Sequence, residues 1–186
     1  MRDILTDNPT ALWVDLVHEA EHDASAPLGE ELESYLVFLL IAHMRDTHLH
    51  RNAIAIDYLL AKAHAGQRHR DELRTVGDRC LLLAGLYPEQ AQQRMVGLDY
   101  FIAMGSQAYN ELAHALRATV ANLYEHLARA FARVVRVLLE VRRRSKDIAP
   151  LVLFEASTRA GVCEDPRFPG ALLLDALPRD GKPTRQ

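Results

Sequence analysis

The sequence predicts an all-α fold: a single-domain bundle of about six to seven helices with a short Pro/Gly-rich C-terminal tail. Three observations predict it. Apolar residues recur at three- and four-residue spacing through most of the first 160 positions. No β-branched alternating run is present, and Val and Ile sit inside the helical patterns. Gly and Pro are sparse before residue 160 and abundant after it. The 186 residues suit one domain with a real core, expected as a helical domain over 1–160 and an irregular tail over 161–186 whose last residues are disordered.

Asn8-Pro9 predicts the first helix start, with Asn as N-cap and Pro at the first helical position. This helix is expected to run to about Asp23 and to stop before Ser25-Ala26-Pro27. The second begins near Gly29 with an acidic first turn that suits the macrodipole. It passes through Tyr35–Ala42, apolar on all sides, and is therefore expected to be the central buried helix. A third covers 52–64 and ends at Gly66, read as its C-cap glycine. A fourth covers 68–87 with Leu73, Val76, Cys80, Leu83 and Tyr87 as its stripe, and Pro88 ends it and opens a short turn to Arg94. A fifth runs over 98–117 on a face of Leu98, Phe101, Ile102, Gly105, Tyr109, Leu112 and Leu116. A sixth covers 120–144 with Leu123, Leu127, Ala130, Phe131, Val134, Leu138 and Val141; the pattern leaves open whether it continues the fifth as one rod. Pro150 is expected to start a last short helix to about Arg159.

Composition narrows the function classes. Apolar residues make up 49% and charged ones 25%, and the net charge of −3 gives no bulk attraction to nucleic acid or to an anionic membrane. Neither partner is expected. The charge is uneven, however. The 15–33 stretch carries Asp15, Glu19, Glu21, Asp23, Glu30, Glu31 and Glu33 with no Lys or Arg, whereas 129–146 carries Arg129, Arg133, Arg136, Arg142, Arg143, Arg144 and Lys146 against Glu140. Such complementary patches can steer self-association or a protein partner. No aromatic residues interleave with the arginines, which argues against stacking on bases. Cys80 and Cys163 make neither a disulfide framework nor a zinc pattern, the N-terminal Met-Arg-Asp-Ile-Leu-Thr-Asp lacks a signal-peptide apolar region, and the longest apolar run, Tyr35–Ala42, is far short of a membrane span, so a cytoplasmic protein is expected.

Three spacings look like metal chemistry. His18-Glu19-Ala20-Glu21-His22 matches His-Glu-x-x-His, which in zinc proteases sets two imidazoles on one helix face with Glu as base. Within it, Glu19 and His22 form a Glu-x-x-His pair, repeated at Glu111 and His114. Two such pairs on separate helices belong to the di-iron or di-manganese recipe of ferritin-like bundles. His22-Asp23 also makes the dipeptide used by all-α metal phosphohydrolases. A helical wheel argues against all three. With Leu12 at zero, Leu16, Ala20, Trp13 and Val17 span about 0–140°, while His18 falls near 240° and His22 near 280°. With Leu98 at zero, His114 lies near 160° and Glu111 near 220°, on the wet side. No cofactor is expected; iron, manganese or zinc belongs to the alternative alone.

His43 differs. On its helix it lies among Leu36 and Leu39, and it is the one histidine expected to be buried, as a hydrogen-bonded core group or as part of a pocket. Gly77 and Gly105 occupy inner faces, where each costs about 1 kcal/mol relative to Ala. Either close helix approach or a small-ligand cavity compensates, and with Tyr109 and His43 they mark a candidate pocket.

The segment Val76-Gly-Asp-Arg-Cys-Leu-Leu-Leu-Ala-Gly-Leu-Tyr-Pro-Glu, with Leu98-Asp-Tyr-Phe-Ile-Ala-Met-Gly and Ala108-Tyr-Asn-Glu-Leu-Ala, resembles a family of uncharacterised helical proteins from proteobacteria. The resemblance covers about a fifth of the chain. It implies a helical fold and a bacterial source, no activity, and structural roles for Gly77, Gly85, Pro88, Glu89, Asp99, Tyr100, Gly105 and Tyr109. Two functions follow as expectations: a non-catalytic protein-interaction or regulatory module acting as a homodimer, or a metal-dependent or small-ligand-binding bundle.

Overall fold

The computed structural model describes residues 9–45, 53–88 and 97–147. Among them are six helices and no strand: α1 (Pro9–Ala24), α2 (Glu30–Arg45), α3 (Ile54–Ala63), α4 (Gly66–Gly85), α5 (Leu98–His114) and α6 (Ala118–Asp147). The all-α expectation holds. The turn at 89–94, the helix at 150–159, the boundary at 160 and the tail lie outside the described residues.

α1 starts at Pro9 as its sequence dictates, and it buries the expected face: Trp13, Leu16, Val17 and Ala20. The chain then reverses. Ser25 adopts φ 47°, the Ala26 N–H donates to Glu21 O at 3.0 Å, and Gly29 takes φ 87° on entering α2. A positive φ costs Gly nothing sterically. Glu30, Glu31 and Glu33 fill the first turn of α2, where the macrodipole favours them.

α3 and α4 form an antiparallel pair, and here the capping differs from expectation. α3 ends at Ala63, with His64 and Ala65 extended, so Gly66 (φ 65°) opens α4 rather than capping α3. The imidazole of His69 donates to Ala61 O at 2.7 Å, and the His64 N–H donates to the same oxygen. Side chain and backbone thus satisfy the end of α3 without a capping glycine.

The core is built on α4 and α6, not α2: α6 packs against α1, α2, α4 and α5, and α4 packs against α3, α5 and α6, with every residue from Cys80 to Gly85 buried. α2 packs against α1 and α6 and leaves Phe38 67% exposed. Apolarity on all sides permits burial but does not select it. What selects α4 is its glycines. A Cβ at Gly77 would overlap the Tyr109 ring, and one at Gly85 would overlap Leu138, so α5 and α6 approach α4 where a side chain is missing.

α5 and α6 are two helices. The chain turns at Ala115–Arg117 and runs back, with Ser106 Oγ donating to Ala128 O at 2.8 Å across the pair. α6 buries Leu127, Phe131, Val134, Leu138 and Val141 in a core shared with all the other helices.

Candidate functional site

The two Glu-x-x-His pairs are held by different neighbours. On α1, the His22 side chain is 91% exposed beside Asp23, and Glu19 pairs with Arg144 of α6. On α5, His114 is exposed, but Glu111 is not on a wet face as the wheel suggested. Its Oε1 accepts from Tyr58 at 2.6 Å, Gln107 at 3.0 Å and Lys62 at 3.2 Å. Burial acts to raise this carboxyl, yet the three donors hold it below its ordinary range. Burial and Glu111 in turn push the Tyr58 hydroxyl up to about 12. The wheel erred because it was drawn against one stripe, and α3 supplies a second neighbour to α5. Among the described residues no group of three or more His, Cys, Asp or Glu is arranged to hold a metal ion.

The candidate pocket residues fall into two groups: His43 against Tyr87, and Gly77, Tyr109 and Gly105, joined through the Tyr109–Phe131 ring contact at 5.8 Å. His43 is buried, 8% exposed, and its Nε2 lies 3.0 Å from Tyr87 Oη with the rings edge to face. Gly77 faces Tyr109, whereas Gly105 faces Phe131 and Cys80. Aromatic rings occupy the room both glycines leave. Close approach, the blander of the two expectations, describes these positions. Burial pushes the Cys80 thiol up to about 12, an inert core residue.

Tyr109 belongs also to a polar cluster that the sequence reading did not single out. Asp78 of α4 has a largely buried side chain, 18% exposed, and its Oδ1 accepts from Tyr35 at 2.5 Å and Tyr109 at 2.6 Å. Arg74 Nε lies 3.6 Å from Oδ2, with its guanidinium 5.9 Å from the Tyr35 ring centre. Tyr124 of α6 packs against both tyrosines. Three helices therefore meet on one carboxyl, and α6 packs against the tyrosines that hold it. Burial raises the Asp78 carboxyl despite the opposing pull of Tyr109, Tyr35 and Arg74. Burial and the nearby carboxylate drive Tyr35 and Tyr109 well above the usual phenol range. The sequence signal was faint: Asp78 stands one residue after Gly77, between Val76 and Cys80 of the α4 stripe.

The acidic and basic stretches meet within the molecule. Asp23 accepts from Arg144 at 2.6 Å and Arg143 at 3.0 Å, His126 lies 3.2 Å from Glu31, and Arg133 donates to Pro27 O at 3.2 Å. The hydrogen bond from Arg144 holds the Asp23 carboxyl below its usual range. Along the same hairpin, His18 Nδ1 lies 2.6 Å from Glu33, and that hydrogen bond raises the imidazole.

α3 carries apolar side chains on its outer face. Ile54 and Ala61 face the core, but Ile56, Leu59 and Leu60 are 55%, 65% and 49% exposed, and Ala63 is exposed one turn on. These four positions, i, i+3, i+4 and i+7, form one outward stripe. The readable signal was a short helix apolar on both faces, Ile54-Ala-Ile-Asp-Tyr-Leu-Leu-Ala. Comparison of the chain with protein-family models, with curated proteins and with solved structures finds no match. The stripe and the tyrosine cluster therefore stand on their own chemistry. No helix among the described residues is long and apolar enough to cross a membrane.

Proposed function

We propose that this protein is a non-catalytic protein-interaction module that acts as a homodimer in the bacterial cytoplasm, with the outer face of α3 as its contact surface. The observation that carries this is the stripe of Ile56, Leu59, Leu60 and Ala63. Isolated exposed apolar residues need no explanation, but a contiguous row along one helix supports a contact face. The most perturbed titratable groups point away from catalysis: Asp78, Tyr35 and Tyr109 bond to one another inside the bundle and tie helices together. The charged patches, which composition alone suggested as docking surfaces, are joined in part to each other, where Glu19 and Asp23 of α1 pair with Arg143 and Arg144 of α6.

The test is light scattering of the full chain at tens of micromolar. A dimer mass for the wild type and a monomer mass for Leu59→Glu, with unchanged helical circular dichroism, is the expected result. A wild-type monomer at that concentration overturns the proposal.

A further inference from the structure

Resting on α3 as the self-association face, we propose that two copies pair α3 against α3 antiparallel, in a register centred between Leu59 and Leu60. The stripe is uneven along its length. Its N-terminal end carries the bulky Ile56, its middle Leu59 and Leu60, and its C-terminal end only Ala63. A parallel pairing sets Ile56 on Ile56 and leaves a gap between two alanines. The antiparallel pairing sets each Ile56 on the other copy's Ala63 and closes the leucines over the two-fold axis. Large against small is how packed faces interdigitate without voids, and a two-fold interface presents the same patch from both copies.

The area favours a second copy that binds reversibly. Three aliphatic side chains, 49–65% exposed, offer on the order of 300 Å² of apolar surface, the low end of what a monomer's largest patch exposes. Two such faces with the polar rim that makes up roughly 40% of an interface bury about 1,000 Å² in all. That is the lower bound for a specific contact, and it predicts a weak, exchanging dimer rather than an obligate one.

Cysteine cross-linking tests the register. In a Cys163→Ser background, Cys80 is buried and out of reach. One tagged chain carries Ile56→Cys and one untagged chain carries Ala63→Cys; they are mixed and oxidised mildly. The antiparallel register yields the mixed species in about tenfold excess over either like-with-like species, because only unlike positions bring Cβ atoms to disulfide distance. Predominant Ile56→Cys self-linking overturns it in favour of a parallel pair. A chain that is dimeric by light scattering yet forms no cross-link also overturns the register while leaving self-association standing; a monomer overturns the functional reading beneath it. A size swap gives an independent readout. Ile56→Ala alone weakens the dimer about tenfold, whereas Ile56→Ala with Ala63→Ile restores it to within about threefold, a coupling expected only if the two sites touch across the interface. No restoration overturns the register.

Discussion

Near the centre of the bundle an aspartate stands where helix packing favours an aliphatic side chain, and on the outer side of α3 three aliphatic side chains stand where solvent favours polar ones. The two regions depart from the same inside–outside pattern in opposite directions, but they differ in how the departure is met. Asp78 finds its partners within the chain: two tyrosine hydroxyls from α2 and α5 and the guanidinium of Arg74. A buried charge of this kind is tolerated only because it is bonded. The stripe of Ile56, Leu59 and Leu60 remains about half or more exposed. A misplaced group that is satisfied internally is explained by the fold. One that is not directs attention to something outside the fold.

The largest expected effect breaks the inner region. Tyr109 is fully buried, fills the space left by Gly77 and donates to Asp78. Tyr109→Ala opens a cavity and is expected to cost about 3–5 kcal/mol, in line with other aromatic truncations in cores. Urea unfolding followed by circular dichroism measures it. A loss under about 1 kcal/mol would mean that the cluster does not hold these helices together.

Next in size is the carboxyl itself. Asp78→Ala takes the shared acceptor from two buried hydroxyls and leaves them only each other at 3.5 Å, at about 1–3 kcal/mol for the one left without an acceptor, partly offset by removing a buried charge. Asp78→Asn keeps one carbonyl acceptor and is expected to cost less. Its pH dependence carries a definite sign. The folded carboxyl is raised by burial, so the folded chain holds its proton more tightly than the unfolded chain does. The associated stability is fully present below the ordinary aspartate range and is lost as pH rises through the raised value. The stability of the wild type relative to Asp78→Asn should therefore fall as pH is raised from about 3 to about 7. A rise instead would show that the tyrosines and Arg74 outweigh burial.

How far each region could be read from the sequence follows from the same contrast. Periodicity exposes which face of a long helix is apolar, so α1, α4, α5 and α6 were legible, down to Trp13, Val76, Phe101 and Phe131 in the core. It does not say which neighbour covers a face. That is why α2 looked central until Phe38 proved exposed, and why Glu111 looked wet until Tyr58 of α3 was found against it. His43 was legible because a single helix fixed it. Asp78 was not, since its acceptance among apolar neighbours depends on Tyr35 and Tyr109, 43 and 31 residues away in the chain. The apolar residues on both faces of α3 were present in the sequence, but the helix is only 10 residues long. A pattern that short does not separate a buried helix from a two-faced one.

A smaller effect sharpens the link between Gly77 and the cluster. Gly77→Ala gains about 1 kcal/mol of helix propensity but forces its new methyl into the Tyr109 ring, with overpacking at about 1–3 kcal/mol. A net loss near 1 kcal/mol is expected, and the measurable sign is that it shrinks when Tyr109→Phe is already present, because that ring is no longer tied to Asp78. Equal losses in both backgrounds would detach the glycine from the polar cluster.

The smallest effect on stability tests the outer region. Leu59 is 65% exposed, so Leu59→Glu removes little buried surface and should change unfolding free energy by less than about 0.5 kcal/mol. If the stripe serves only the monomer, that is the whole consequence. If it is a contact face, the same substitution places like charges across the two-fold axis and abolishes the dimer at tens of micromolar while the monomer keeps its helices. Leu73, fully buried on α4, supplies the control: Leu73→Ala is expected to destabilise the fold by about 2–5 kcal/mol. Separation of the two readouts, stability lost with Leu73 and association lost with Leu59, is what the contrast between a satisfied interior and an unsatisfied surface requires. A Leu59→Glu chain that unfolds as readily as Leu73→Ala would place the stripe inside the fold after all.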